Sequence, residues 1–164
     1  MLKKLPVDVS TFSLLIKNKY LYVDKTKFAH DLITGGRRFF LSRPRRFGKS
    51  LFLSTLEEIL QGNRSLFKGL WIGRSGYKWL KYGVITLDFS SFENDRVESF
   101  KKELCESLEE VARNYGLRVF VDHASPSLSL KKVVRALYAK FGRRVSLRLE
   151  LSPFYKKFNY RNFL

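Results

Sequence analysis

Apolar residues recur along this chain with two different periods. Leu51, Leu53, Leu56, Ile59 and Leu60 follow helical spacing, and Gly62 or Asn63 closes the segment. Val97, Phe100, Leu104, Leu108 and Val111 line one side of a longer amphipathic helix. A further helix is predicted to start near Ser129 and to carry Val133, Val134, Leu137, Tyr138 and Phe141. Near the end the period changes: Val145, Leu147, Leu149 and Leu151 alternate with Ser146, Arg148 and Glu150, as in a half-exposed strand. Residues 20–23, 38–41 and 84–87 read as shorter strands, the last leading into Asp88, Phe89 and Ser90. Asp24 is placed to cap a helix over 25–33, which Gly35 and Gly36 end. Residues 66–82 read as irregular and aromatic. Strands separated by helices predict an α/β fold with a mainly parallel sheet flanked by helices.

The chemistry of the chain is concentrated where the 38–41 run meets the helix that follows. The connecting loop is Ser42-Arg43-Pro44-Arg45-Arg46-Phe47-Gly48-Lys49-Ser50. A helix N-terminus offers unpaired N–H groups and a partial positive charge, both of which favour phosphate. Gly48 lets the backbone approach phosphate with no Cβ in the way. Lys49 is placed to reach β- and γ-phosphates as a mobile point charge. The Ser50 hydroxyl can coordinate the magnesium ion that bridges those oxygens. The usual pattern G-x-x-x-x-G-K-[ST] has its first Gly at the position of Arg43 here.

The string Arg43 to Ser50 resembles the modified P-loop of the predicted AAA-ATPase-like family of bacteria and archaea, which carries R-P-R-R-F-G-K-[ST]. Tyr22-Val23-Asp24-Lys25-Thr26 is similar to the family's Y-V-D-K-T, and Ile85 to Ser90 is similar to its second-strand motif. Leu5-Pro6 followed by Phe12 fits its opening. The resemblance runs from about Leu5 to Gly142, and it implies a P-loop NTPase fold that binds ATP with Mg2+. By position it gives Gly48, Lys49 and Ser50 for the phosphates and magnesium. Arg43, Arg45 and Arg46 either steer phosphate or meet carboxylate and solvent. Pro44 and Phe47 complete the nucleotide-binding string. In many members a nuclease-like domain of the PD-(D/E)XK type follows.

The family also carries an apolar strand ending in paired acids, of the form L-I-D-E-Y-D-K-P, expected just after Gly142-Arg143-Arg144. Here the sequence reads Val145-Ser146-Leu147-Arg148-Leu149-Glu150-Leu151-Ser152-Pro153. The acid pair is missing, and Arg148 interrupts the buried run at a cost unless it finds a partner. Hydrolysis needs an Asp that holds magnesium and a group that positions water, so binding without efficient hydrolysis is expected. Asp88 is the candidate magnesium-side acid, or alternatively a cap for the turn that follows, and Glu150 is a weaker stand-in. The departure near Val145 suggests an N-terminal fragment of a longer family member, with an incomplete C-terminal edge.

Composition bounds the rest. The net charge is +17, which favours polyanionic partners. An alternative reading is therefore a basic nucleic-acid-binding module with a remnant phosphate loop. Its support is the tail, where Tyr155, Phe158, Tyr160 and Phe163 are interleaved with Lys156, Lys157 and Arg161. A third reading is a subunit whose sheet is completed by a partner. Cys105, the only cysteine, sits at helical spacing among apolar residues and reads as a buried structural thiol. No run of about 18 apolar residues and no leader-like start is present, so a cytoplasmic location without membrane contact is expected. The predicted organisation is an N-terminal extension over 1–36, a P-loop core over 37–152 and a basic aromatic tail over 153–164.

Overall fold

The computed structural model describes residues 4–35, 39, 41, 47–89 and 96–150, with the backbone alone for Glu150. The chain divides into two compact units, Met1–Lys81 and Tyr82–Leu164.

The first unit is helical. Its elements are α1 (Phe12–Lys17), α2 (Thr26–Gly35), α3 (Lys49–Leu60), a 3-10 turn (Arg64–Phe67) and α4 (Trp71–Arg74). The core is Phe12, Ala29, Phe52, Ile59, Phe67 and Ile72, with Tyr22, Leu56, Tyr77 and Trp79 packed around it. Phe12 stacks on Phe67 with ring centroids 4.7 Å apart and meets the edge of Tyr22 at 5.0 Å. In α3 the buried positions are Phe52, Thr55, Ile59 and Leu60. The period was legible, but the inward stripe runs through Phe52 and Thr55, with Leu51 and Leu53 at its flanks. The helix closes as expected at Gly62 and Asn63, whose N–H groups return to the carbonyls of Ile59 and Glu58 at 3.0 and 3.1 Å.

Three sequence expectations change here. Residues 20–23 form no strand; Leu21 N–H donates to the Lys4 carbonyl at 2.9 Å. β-prone side chains form a strand only beside a neighbouring one, and here the segment places Tyr22 against the core instead. Of the run 38–41, Phe39 and Leu41 are described and lie outside any strand, while Arg38 and Phe40 lie outside the described residues. The segment read as irregular contains the end of the 3-10 turn and all of α4, and its aromatics help build the core. α1 was not predicted, because six residues are too few for a period to show.

Gly73 in α4 is set by space. A Cβ there would lie 2.3 Å from the Phe67 carbonyl oxygen, a backbone atom that cannot swing aside. Gly73→Ala should therefore destabilise the first unit by about 1–3 kcal/mol, the usual cost of overpacking. Urea unfolding followed by tryptophan fluorescence checks this, and an unchanged midpoint would count against the close approach.

The second unit is α/β. It contains β1 (Gly83–Asp88), α5 (Val97–Asn114), α6 (Pro126–Phe141) and β2 (Val145–Glu150). β1 and β2 pair in parallel, with Gly83 opposite Val145, Thr86 opposite Arg148 and Asp88 opposite Glu150. Among the described residues these two strands are the whole sheet. Ile85 and Leu87 pack with Cys105, Leu108, Val111, Val121, Val133 and Leu137 into one core. Tyr115 ties the unit together: its hydroxyl accepts the Val84 N–H at 2.9 Å while its ring meets the edge of Phe141.

The α5 stripe was read correctly at Leu104, Leu108 and Val111, but Val97 is the first helical residue and is 63% exposed. α6 begins at Pro126, before the expected Ser129, because proline fits the first helical turn, where its missing N–H is not needed. Cys105 is buried as expected; burial pushes its thiol pKa up, helped by the Glu109 and Asp122 charges, so it stays protonated at neutral pH. In β2, Leu147 and Leu149 are about half exposed, while Nε of Arg148 is buried. Leu151 and the tail 153–164 lie outside the described residues.

Candidate nucleotide-binding loop

Four residues of the predicted loop are described: Phe47, Gly48, Lys49 and Ser50; Arg43, Pro44, Arg45 and Arg46 lie outside the described residues. Gly48 occupies the N-cap of α3 with φ +69° and ψ +26°, the left-handed region. A Cβ at Gly48 would meet nothing within 4 Å, so its conformation, not crowding, calls for glycine. The α3 ladder begins with the Phe52 N–H donating to the Gly48 carbonyl at 3.0 Å. Ahead of it lie the amides of the first turn, for which an α-helix has no carbonyl of its own. Lys49 and Ser50 are the first two residues of the helix, Lys49 half-buried and Ser50 exposed. No acidic residue lies in that first turn to compete for an anion.

The rest of the unit holds α3 in place from below. Ser54 Oγ accepts the Phe12 N–H at 3.0 Å. Thr55 is fully buried; its hydroxyl donates to the Leu51 carbonyl at 2.8 Å and lies 3.4 Å from the Tyr22 hydroxyl. Burial raises the Tyr22 pKa, so the phenol stays neutral.

The second motif, Tyr22 to Thr26, turns out to be scaffold. One oxygen of the Asp24 carboxylate accepts the Thr26 N–H at 2.9 Å and the Thr26 hydroxyl at 2.7 Å; the other accepts the Trp71 N–H at 2.7 Å. The Thr26 hydroxyl oxygen in turn accepts the Ile72 N–H at 3.1 Å. Two side chains thus cap α2 and hold the start of α4. The cap was legible from Asp24 alone, whereas its reach to residue 71 has no local signal.

Burial acts to raise the Asp24 pKa, but the bonds from Thr26 and Trp71 and the charge of Arg74 outweigh it and hold the carboxyl below its ordinary 3.8. A depressed folded pKa stabilises the fold above the unfolded value, and that contribution is lost as pH falls through the folded one. Asp24→Asn should therefore lower the melting temperature at pH 7. The gap to the parent should narrow as pH falls below the ordinary 3.8 and through the lower folded value, and a gap that stays constant with pH would refute the charged clamp.

Asp88 lies in the second unit, half-buried at the end of β1. The ladder brings the backbones of Asp88 and Glu150 side by side at the C-terminal ends of both strands. β2 thus lies where the sequence anticipated the acidic strand, and it carries Arg148 opposite Thr86. Among the described residues no group of three or more His, Cys, Asp or Glu could hold a metal, and no helix is long and apolar enough to cross a membrane.

A protein-family match covers residues 6–150 and carries the description Predicted AAA-ATPase. The chain belongs to that family. An uncharacterised protein encoded in the vnfD 5' region of Azotobacter chroococcum mcd 1 is 35% identical over 145 residues, which is 87% of this chain and 28% of that protein. The chain thus spans less than a third of the length of that curated relative. No solved structure matches it significantly. Membership in the predicted AAA-ATPase family suggests nucleotide as the ligand class.

Proposed function

We propose that the chain binds ATP as its magnesium complex through a P-loop formed by residues 43–50, and that it hydrolyses ATP poorly. The observation that carries this reading is Gly48 in the left-handed conformation at the head of α3, with Lys49 and Ser50 next in line. Lys49 is the charge for the β- and γ-phosphates, and the Ser50 hydroxyl is a ligand for magnesium. Arg43, Arg45 and Arg46 add positive charge to the loop. For the ion's acidic ligand the sequence offers Asp88. Poor hydrolysis follows from the composition of β2, where one glutamate closes a strand that the family's acid pair would otherwise occupy. The reading includes a P-loop NTPase fold and a longer protein in which a nuclease-like domain follows.

Calorimetric titration with Mg-ATP, run beside a phosphate-release assay, tests both halves. The expected result is saturable binding that weakens when magnesium is chelated, with little phosphate released. Folded protein that ignores Mg-ATP would overturn the first half; steady turnover would overturn the second.

A further inference from the structure

We propose that the outward face of α6, together with Phe120, is a binding platform for single-stranded nucleic acid. The buried stripe of α6 is Ser129, Val133 and Leu137. Lys131, Arg135 and Tyr138, three and four residues apart, fall on the opposite side of the helix, and all three are exposed. The preceding segment adds to this face. Leu117, Val119 and Val121 turn into the core, so the alternate positions Arg118 and Phe120 turn out. Phe120 is 78% exposed, and Lys132 Nζ lies 5.9 Å from its ring centroid. That contact joins the aromatic surface to the basic helix.

The charge of the second unit is sorted between its helices. α5 carries most of the glutamates, and several are engaged locally: Lys102 with Glu106, and Glu109 with both Arg113 and His123. α6 contains no acidic residue, and none occurs between Ala124 and Leu149. Among the described residues Lys131, Lys132 and Arg135 have no carboxylate within ion-pair distance. Like charges gathered on one helix repel unless a polyanion neutralises them.

The class of polyanion follows from the rings. A flat, exposed phenyl bordered by Lys and Arg stacks on an unpaired base while the cations meet the backbone phosphates. A paired duplex hides its base faces, and a lipid surface would call for a broader apolar face than Phe120, Leu128 and Tyr138 provide. This inference does not depend on the nucleotide loop, because every residue it uses lies in the second unit.

The test uses the full chain and a fluorescein-labelled oligothymidylate of about 15 nucleotides, followed by polarisation. The parent should bind in about 50 mM salt and weaken steeply toward about 200 mM. The double variant Lys131→Glu with Arg135→Glu should lose roughly tenfold or more in affinity and show a shallower salt dependence. Phe120→Ala should weaken single-strand binding about fivefold or more and leave duplex binding unchanged. Mg-ATP binding and melting temperature should be the same in all three proteins. Parent-like oligonucleotide binding by the charge-reversed variant would overturn the proposal. So would equal loss on single strand and duplex in Phe120→Ala, or binding to phosphatidylserine vesicles without binding to the oligonucleotide.

Discussion

Lys49→Ala is expected to lower Mg-ATP affinity by roughly thirty- to several-thousandfold, because truncating one side of a charged contact costs about 2–5 kcal/mol. The lysine is the first residue of α3 and follows a glycine held in the left-handed conformation at the N-cap. The helix itself should not suffer. Its hold on the core runs through Phe52, Thr55 and Ile59, and alanine is a good helix former. An unchanged melting temperature beside collapsed affinity would locate the effect in the ligand. Lys49→Arg should recover only part of the affinity, since a planar guanidinium does not replace a compact ammonium. If Lys49→Ala binds as the parent does, the nucleotide is held elsewhere and the phosphate-loop reading fails.

Phe12→Ala should cost the first unit about 3–5 kcal/mol, the range for truncating a buried aromatic. Phe12 is fully buried, stacked on Phe67 and against Tyr22, and its own N–H reaches Ser54 on α3. Both tryptophans, Trp71 and Trp79, belong to the same unit, so intrinsic fluorescence reports its unfolding without the second unit contributing. Phe120→Ala is the matched control, an exposed phenylalanine whose removal should shift stability by less than about 0.5 kcal/mol. Equal stability of the two variants would mean that the N-terminal segment is not part of the packed unit. A large loss in Phe12→Ala accompanied by weaker Mg-ATP binding would tie residues well ahead of the loop to its support.

What the sequence made legible was whatever depends on neighbours along the chain. Helical spacing identified α3, α5 and α6, and a lone aspartate ahead of α2 announced its cap. Period could not report which leucines of α3 face inward, because Phe52 and Thr55 win that place through contacts with Phe12 and Tyr22. Residues 20–23 carry β-prone side chains but form no strand, because local preference alone supplies no pairing partner. β2 shows the same limit. Its alternation was visible, yet parallel pairing to β1 leaves Leu147 and Leu149 half exposed and Nε of Arg148 buried. At the loop, the glycine, lysine and serine were legible as letters, whereas the left-handed conformation of Gly48 at the N-cap of α3 was not. The bond from Trp71 to Asp24 had no sequence signal at all, since it joins residues brought together only by folding.

The pairing of β1 with β2 also sets a timetable for synthesis. Gly83 needs Val145 and Asp88 needs Glu150, with α5 and α6 encoded between them. A ribosome adding about 5–20 residues per second leaves β1 for several seconds, over about 60 residues, before its partner emerges. During that interval the apolar Ile85 and Leu87 are covered by α5 and α6 only as these emerge, while the edge that will meet β2 stays unpaired. The nascent chain is therefore most exposed to misassociation between the release of β1 and that of β2, and slowing translation there lengthens the risk.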